Sequence, residues 1–175
     1  VTKREVKEML KGFKLSLIHG EYPYVTSRDT TASSFLGEAG IGPRSVRDVY
    51  IVFKPYVTRV APGPLEKEIN DSEQLEWMHN SGGEVGTISS RKRRAGEFEW
   101  ENAKRAVSIN GATKIAITHF DWFKQLENGE KKAPEFIEKI KENLEMTYPY
   151  PDLSLISYGP KTQDVKGIRV RDFRE

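Results

Sequence analysis

The sequence predicts a single α/β domain over residues 1–175, with a mostly parallel β-sheet flanked by helices. Segments with apolar residues at helical spacing alternate with short apolar or β-branched runs, as in folds where helices connect parallel strands. The run over residues 49–53 is apolar on both faces, as expected for a strand buried inside such a sheet. A length of 175 residues suits one domain or part of a larger protein.

The individual elements follow from apolar spacing and from residues that begin or end helices. The predicted helices are residues 2–11, a short helix opened by Pro43, a helix between the N-cap Asp71 or Ser72 and the stop at Gly82, residues 97–110 before Gly111, and residues 133–144. The predicted strands are a broken strand-like segment over residues 12–27 and strands over residues 49–60, 113–117, 152–157 and 167–173. Loops are predicted over residues 61–69, 125–134 and 158–164.

Composition and motifs exclude several kinds of protein. The formal net charge of +2 gives no long-range field for general nucleic-acid binding. There is no cysteine, and the three histidines show no metal-ligand spacing. No apolar run is long enough for a membrane span and no signal peptide opens the chain, so the sequence predicts a cytoplasmic protein without membrane contact. Phosphate-loop, nucleophile-elbow, zinc-protease and kinase motifs are absent from the sequence.

Polar residues follow three predicted strands, where open α/β sheets bind their ligands. These polar tips are residues 58–60, 118–121 and 157–160. Asp121 is placed to accept hydrogen bonds from N1–H and the 2-amino group of guanine, a pair of donors that adenine lacks. An aspartate in this position is also common as an N-cap or turn residue.

Two further segments carry side chains that are able to bind anions. Residues 22–34 are rich in hydroxyl side chains, which favours a phosphate site or an ordinary turn. Residues 86–100 read GTISSRKRRAGEFEW, with four consecutive cations from Arg91 to Arg94. Composition alone favours a solvated basic patch, with a nucleic-acid tag or an anion-binding loop as alternatives.

Five segments, in order, resemble the adenylosuccinate synthetase family, in its shorter archaeal-type form. They are YPYVTSRDTTAS, GIGPRSVRDVYIVFKPYVTRVAPGPL, GTISSRKRRAGEFEWENAKRAVSINGAT, ITHFD and LISYGP, within residues 12–170. The resemblance implies a P-loop-NTPase-like synthetase fold, here incomplete. It implies a ligase of purine biosynthesis that joins L-aspartate to inosine monophosphate (IMP), with GTP as co-substrate, Mg²⁺ as cofactor and a homodimer as the assembly.

The resemblance also assigns site residues. For IMP they are Leu15, Thr26, Val60 and Arg91; for aspartate Thr87, Ser89 and Arg91; and for GTP Arg93, His119, Asp121, Ser157, Gly159 and Pro160. Lys92 and Arg94 are then the solvated cations of the basic run. No catalytic or metal-binding residue is expected here, because the family carries them in an N-terminal half that has no counterpart in residues 1–175. Since the chain also begins with Val1, we expect a fragment that does not turn over by itself.

Two residues depart from the family pattern. Ser90 stands where the family usually has glycine, and His119 stands where the guanine motif often has lysine. His119 motivates a first alternative, the related aminodeoxyadenylosuccinate synthetase that acts on dGMP and uses ATP. The second alternative is a non-catalytic nucleotide-binding module.

Overall fold

The computed structural model describes residues 12–60, 62–86 and 90–168. Its helices and strands in chain order are α1 (Ala32–Glu38), β1 (Tyr50–Phe53), β2 (Tyr56–Arg59), α2 (Ser72–Asn80), β3 (Arg94–Glu97), α3 (Trp100–Asn110), β4 (Lys114–Ile117), α4 (Gly129–Ile140), β5 (Asp152–Ser157) and β6 (Val165–Gly167). Short 3₁₀-helices cover Phe13–Leu15, Pro43–Ser45, Phe120–Gln125 and Thr162–Asp164, and a π-helical turn, Lys141–Glu145, continues α4.

The main sheet has the strand order β1–β4–β5–β6. β4 pairs in parallel with both β1 and β5, and β6 is antiparallel to β5. A second sheet contains only the antiparallel pair β2 and β3 within the described ranges. The predicted fold class, an α/β protein with a mostly parallel sheet and flanking helices, is therefore confirmed.

The core forms around β4, the strand with parallel neighbours on both sides. Ile115 and Ile117 of β4 are 0% and 1% exposed, and each such burial contributes about 1.5–3 kcal/mol. The helices α3 and α4 contribute Val107 and Ile140 to the same core cluster. The strand ends, and with them the polar tips, are thus attached to a rigid apolar centre.

The predicted strand over residues 49–60 is two strands in two sheets. β1 ends at Phe53 and β2 begins at Tyr56, with Lys54 and Pro55 between them. Pro55 has no N–H to donate to a ladder, so the chain leaves the main sheet at this point. The prediction that residues 58–60 follow a parallel strand is wrong, because Thr58 and Arg59 belong to the antiparallel β2 and Lys54 follows β1 instead.

Two other predictions near the start of the described chain are wrong. Residues 12–27 form a 3₁₀-helix and turns rather than a strand, and α1 was not predicted. The hydroxyl of Ser16 accepts hydrogen bonds from the N–H groups of Ile18 and His19, and such local bonds compete with a strand ladder. α1 is capped by Thr31, whose hydroxyl accepts from Ser34 N at 3.4 Å.

The cap residues read from the sequence are confirmed at α2 and α3. Asp71 accepts a hydrogen bond from Gln74 N at 2.9 Å, and Gly111 ends α3 with φ of 59°. The predicted loop over residues 125–134 is wrong in its second half, since α4 already begins at Gly129. The helix predicted over residues 2–11 lies outside the described residues, as does most of the closing strand over 167–173. Of the helices described, none has the length and apolar character of a membrane span.

Gly129 is expected to be essential for the junction between the 3₁₀-helix and α4. A Cβ placed there would overlap the carbonyl oxygen of Phe123, so Gly129→Ala is expected to cost about 3 kcal/mol of unfolding free energy. The matched control is Gly37→Ala in α1, where the added Cβ meets no described atom within 4 Å and should stabilise by about 0.5–1 kcal/mol. Urea unfolding of both variants measures the difference, and an equal effect would contradict the close contact.

Candidate functional site

The carboxyl ends of β1, β4 and β5 meet at one edge of the main sheet, because these strands are parallel neighbours. Lys54 follows β1, residues 118–121 follow β4, and residues 158–160 follow β5. The structure therefore brings two of the three predicted polar tips to the same edge. At the end of β1 the residue at this edge is Lys54, where the sequence had predicted residues 58–60.

His119 contacts its neighbour Thr118 and the turn after α2, at Gly82. Its φ is 59°, its Nδ1 lies 3.1 Å from Thr118 Oγ1, and its Nε2 lies 3.2 Å from the carbonyl oxygen of Gly82. Burial lowers the pKa of His119, so the imidazole is neutral near pH 7. Because Gly82 O can only accept, the proton is on Nε2, and Nδ1 faces the Thr118 hydroxyl.

Asp121 lies in the first turn of the 3₁₀-helix Phe120–Gln125. Its neighbours Phe120 and Trp122 are buried, at 7% and 8% exposure, and they fix the backbone that carries the half-buried carboxylate. The ring of Phe120 packs against Tyr158, with 5.3 Å between centroids. This contact joins the turn after β4 to the turn after β5, so the predicted residues Asp121 and Ser157 belong to one structural unit.

The turn after β5 is stabilised by its own side chains. Ser157 Oγ donates to the carbonyl oxygen of Gly159 at 2.8 Å, and Asp164 Oδ2 accepts from Lys161 N at 2.8 Å. A Cβ on Gly159 would lie 2.6 Å from Asp164 Oδ2, which explains why glycine occupies this position. Pro160 is exposed beside it.

Residues 84–86 pair with residues 91–93 as the two strands of a hairpin, and the first three cations of the basic run lie on its second strand. Arg93 N donates to Glu84 O at 3.0 Å, Gly86 N donates to Arg91 O at 2.8 Å, and Val85 pairs with Lys92. Arg91 is exposed at this hairpin. The predicted aspartate residues Thr87 and Ser89 lie outside the described residues.

The four cations of the run have different surroundings. Lys92 is exposed, as predicted for a solvated cation. Arg94 is also exposed, but it is not simply solvated: its fork binds both carboxylate oxygens of Glu68, at 2.7 and 2.5 Å. Arg93 turns inward, with its Nη1 2.9 Å from Glu84 Oε2.

Glu84 is a buried carboxylate that sequence reasoning missed. It is 2% exposed, and its Oε1 accepts from Lys54 Nζ at 2.6 Å and from Tyr56 Oη at 3.2 Å. Burial by itself raises the pKa of Glu84, but the charges of Lys54 and Arg93 outweigh it and hold that pKa below its ordinary value. The available signal was Lys54, a cation that interrupts an apolar run and therefore needs a partner.

Three of the four residues predicted for IMP lie near the loop before α1, and the fourth, Arg91, lies on the hairpin instead. Thr26 N and Thr26 Oγ1 both donate to the carbonyl oxygen of Leu15, at 2.7 and 3.0 Å. Val60 follows Arg59, whose Nη2 lies 3.3 Å from Glu21 Oε2 in the same loop. The structure thus brings Leu15, Thr26 and Val60 to one region, and all three are exposed.

Ser90, where the family pattern suggests glycine, has a φ of 50°. This left-handed conformation costs a residue with a Cβ about 1 kcal/mol, and glycine adopts it freely. Ser90→Gly is therefore expected to stabilise the chain by about 0.5–1 kcal/mol in urea unfolding. The control is Ser81→Gly, at a helix end with φ of −91°, which should be neutral or destabilising. A loss of stability in Ser90→Gly would contradict this conformation.

No group of three histidine, aspartate or glutamate side chains that could hold a metal ion is found in the described part of the chain. Magnesium takes oxygen ligands in an octahedral arrangement. Glu68 and Glu84 are instead paired with arginine or lysine side chains. The described residues therefore do not fit a magnesium site.

Comparison with known proteins gives the family. The family model described as adenylosuccinate synthetase matches residues 3–131. The adenylosuccinate synthetase of Methanosphaera stadtmanae is 40% identical over 166 residues, which are 91% of this chain and 46% of the relative. The chain therefore spans about half the length of the curated relatives it matches.

Two solved structures share the fold. The fully ligated adenylosuccinate synthetase of Plasmodium falciparum has a TM-score of 0.76 and 21% identity, over 90% of this chain and 48% of that protein. The succinoaminodeoxyadenylate synthetase of cyanophage S-2L, bound to dGMP and to dATP as an energy donor, has a TM-score of 0.67 and 23% identity, over 98% of this chain and 51% of that protein. With the family model matching well over half of its residues, the chain belongs to the adenylosuccinate synthetase family.

Proposed function

We propose that residues 1–175 form the base-recognition and aspartate-binding part of a ligase that joins L-aspartate to IMP with GTP. The observation that carries the proposal is the arrangement at the sheet edge. Asp121 and the turn after β5 lie together there, and His119 bonds to Gly82, two residues before the hairpin that carries Arg91 and Arg93. Because the chain spans about half of its relatives, the activity is that of a complete enzyme containing this part.

The chemistry explains why such a site needs donors and cations. The oxygen on C6 of IMP is a poor leaving group, so it first receives the γ-phosphoryl group of GTP, releasing GDP. The amine of aspartate then attacks C6, the C–O bond breaks, and phosphate leaves with the oxygen, giving adenylosuccinate. Anionic reactants must be positioned and their charge neutralised, which is work for N–H groups and arginines rather than for a nucleophile.

In this proposal the sheet edge binds the guanine of GTP. Asp121 accepts from N1–H and the 2-amino group, and Ser157, Gly159 and Pro160 contact the base from the turn after β5. The Ser157 hydroxyl proton is engaged with Gly159 O, so that turn offers a fixed surface rather than a free donor. His119 is neutral and packs beside the base, where it supplies contact without charge.

The hairpin and the loop before α1 bind the other two reactants. Thr87, Ser89 and Arg91 hold aspartate, with Arg91 shared between the aspartate carboxylate and IMP. Leu15, Thr26 and Val60 line the IMP pocket. Thr26 Oγ1 donates to Leu15 O and lies 3.1 Å from Arg28 O, so its O–H must rotate to donate to the 5′-phosphate of IMP.

The remaining components belong to the complete enzyme. Mg²⁺ would neutralise charge on the phosphates of GTP, with ligands outside the described residues. We expect a cytoplasmic homodimer, in line with the family.

A chimera tests the proposed function. Residues 1–175 replace the matching part of the Methanosphaera stadtmanae enzyme, and adenylosuccinate is measured by chromatography from IMP, aspartate and GTP. Turnover that depends on all three reactants supports the proposal. A chimera that unfolds cooperatively but converts neither IMP nor dGMP would contradict it, and would favour a non-catalytic nucleotide-binding module.

A second candidate function is favoured by His119, which stands in the lysine position of the guanine motif. The cyanophage structure with dGMP and dATP shares this fold. The same chimera, supplied with dGMP in place of IMP and ATP in place of GTP, decides between the two. Higher kcat/KM for dGMP with ATP would replace the first proposal by this one.

A further inference from the structure

Glu84 stands where the hairpin joins the sheet edge, and both of its carboxylate oxygens are used. Oε1 accepts from Lys54 and Tyr56, at 2.6 and 3.2 Å, and Oε2 lies 2.9 Å from Arg93 Nη1. The side chain is 3% exposed. A carboxylate in such surroundings is retained only if its partners offset the large cost of removing it from water.

The partners of Glu84 come from separate elements. Lys54 follows β1 and also donates to Thr58 Oγ1 at 2.7 Å, while Arg93 immediately precedes β3. His119, after β4, has its Nε2 3.9 Å from Glu84 Oε1. One carboxylate thus bonds both to the residue that follows β1 and to the second strand of the hairpin, and it lies beside His119, the second residue after β4.

Arg93 depends on this contact for its orientation. Its side chain is only 20% exposed, and its Nε is buried without a hydrogen-bond partner among the described residues. The ion pair with Glu84 at Nη1 therefore fixes the plane of the guanidinium group. A planar group held on one side presents its remaining N–H donors in a defined direction.

We propose that Glu84 is a positioning residue that orients the Arg93 guanidinium toward the triphosphate of GTP and ties the hairpin to the base-binding edge. The inference rests on the proposed function, because it takes GTP as the ligand of Arg93. Glu84 does not contact the reactants. It acts through its ion pair with Arg93 and through its position beside His119.

The test compares Glu84→Gln with Glu68→Gln in the chimera. Glu84→Gln keeps the size of the side chain but removes the charge that pairs with Lys54 and Arg93. The carboxylate of Glu68 pairs instead with the exposed Arg94 of β3. We expect Glu84→Gln to raise the KM for GTP about tenfold and to leave the KM for IMP within about threefold. Glu68→Gln should change neither KM.

A purely structural role predicts a different result. Glu84→Gln would then lower Tm and the active fraction, seen as a lower kcat, with both KM values unchanged, and this outcome would overturn the proposal. Glu84→Asp keeps the charge on a shorter side chain. Its KM for GTP should therefore lie between the values of the unsubstituted chimera and of Glu84→Gln. If Glu84→Gln fails to fold, Glu84→Asp tests the proposal instead. A raised KM for GTP would support the positioning role, and a lower Tm and kcat with an unchanged KM would contradict it.

A second measurement separates this inference from the proposed function. In the 175-residue chain, ¹⁵N NMR of the arginine side chains is expected to show slow rotation of the Arg93 guanidinium, lost in Glu84→Gln and kept in Glu68→Gln. Fast rotation in the unsubstituted chain would overturn the inference. A folded chimera without turnover would refute the proposed function, while the NMR result would still decide whether Glu84 holds Arg93.

Discussion

Replacement of Arg91 by leucine is expected to raise the KM for aspartate about 100-fold in the chimera, with the KM for GTP changed less than about threefold. Arg91 is exposed on the hairpin. In the proposed function it binds aspartate together with Thr87 and Ser89. A guanidinium group donates two parallel hydrogen bonds to a carboxylate, and bonds to charged groups contribute about 1.5–3 kcal/mol. Leucine keeps much of the volume and removes every donor.

The matched control is Lys92→Leu, which removes one positive charge from the neighbouring position. Lys92 is exposed and lies on the same hairpin strand. If Arg91 acts through its fork, Lys92→Leu should leave the KM for aspartate within about threefold. If both variants raise the KM for aspartate equally, Arg91 contributes only its positive charge and not a specific pair of hydrogen bonds. An unchanged KM in Arg91→Leu would remove Arg91 from the aspartate site.

The parts of the fold that the sequence predicted are those with local causes. β4 is a short apolar run whose burial on both faces follows from its composition, and β5 contains the apolar residues Leu153, Leu155 and Ile156. α2 and α3 begin or end at Asp71 and Gly111, whose capping needs no distant partner. Spacing and capping carry enough information for such elements.

The errors occurred where a distant contact decides the structure. The run over residues 49–60 looks like one strand, but β1 pairs with β4 and β2 pairs with β3, and the paired residues are at least 35 positions apart along the chain. α1 depends partly on Asn110, whose Oδ1 accepts from Ala32 N at 2.8 Å. Pro55 is a local signal of the break between β1 and β2, but the neighbouring residues do not show which strand each of them pairs with.

The candidate site also contains residues that the local sequence predicts and residues that only distant contacts define. Asp121 and Ser157 could be placed because each lies at the end of a recognisable strand. Glu84 could not, since its importance comes from Lys54 and Arg93, which reach it from other elements. The charge run also looked uniform in sequence, although its arginines end in different surroundings. A sequence pattern gives the charges, and the fold decides which of them are paired.

Asp121→Asn is expected to change the choice of nucleoside triphosphate rather than only to weaken binding. The carboxylate of Asp121 can accept from both N1–H and the 2-amino group of guanine. The amide of asparagine would set its NH₂ donors against that amino group, and about 100-fold should be lost in kcat/KM for GTP. Xanthosine triphosphate has a carbonyl oxygen at the same position, so its use should rise as that of GTP falls. The buried neighbours Phe120 and Trp122 keep the backbone in place for either side chain.

The measurement is kcat/KM for GTP and for xanthosine triphosphate in the chimera, with Asp71→Asn as the control. Asparagine caps a helix as well as aspartate does, so the control variant should keep α2 intact and leave both values unchanged. A drop with GTP and no gain with xanthosine triphosphate would mean that Asp121 acts only as a turn residue of the 3₁₀-helix. A gain of activity with a new substrate cannot result from unfolding, and it would therefore locate the guanine site at the carboxyl end of β4.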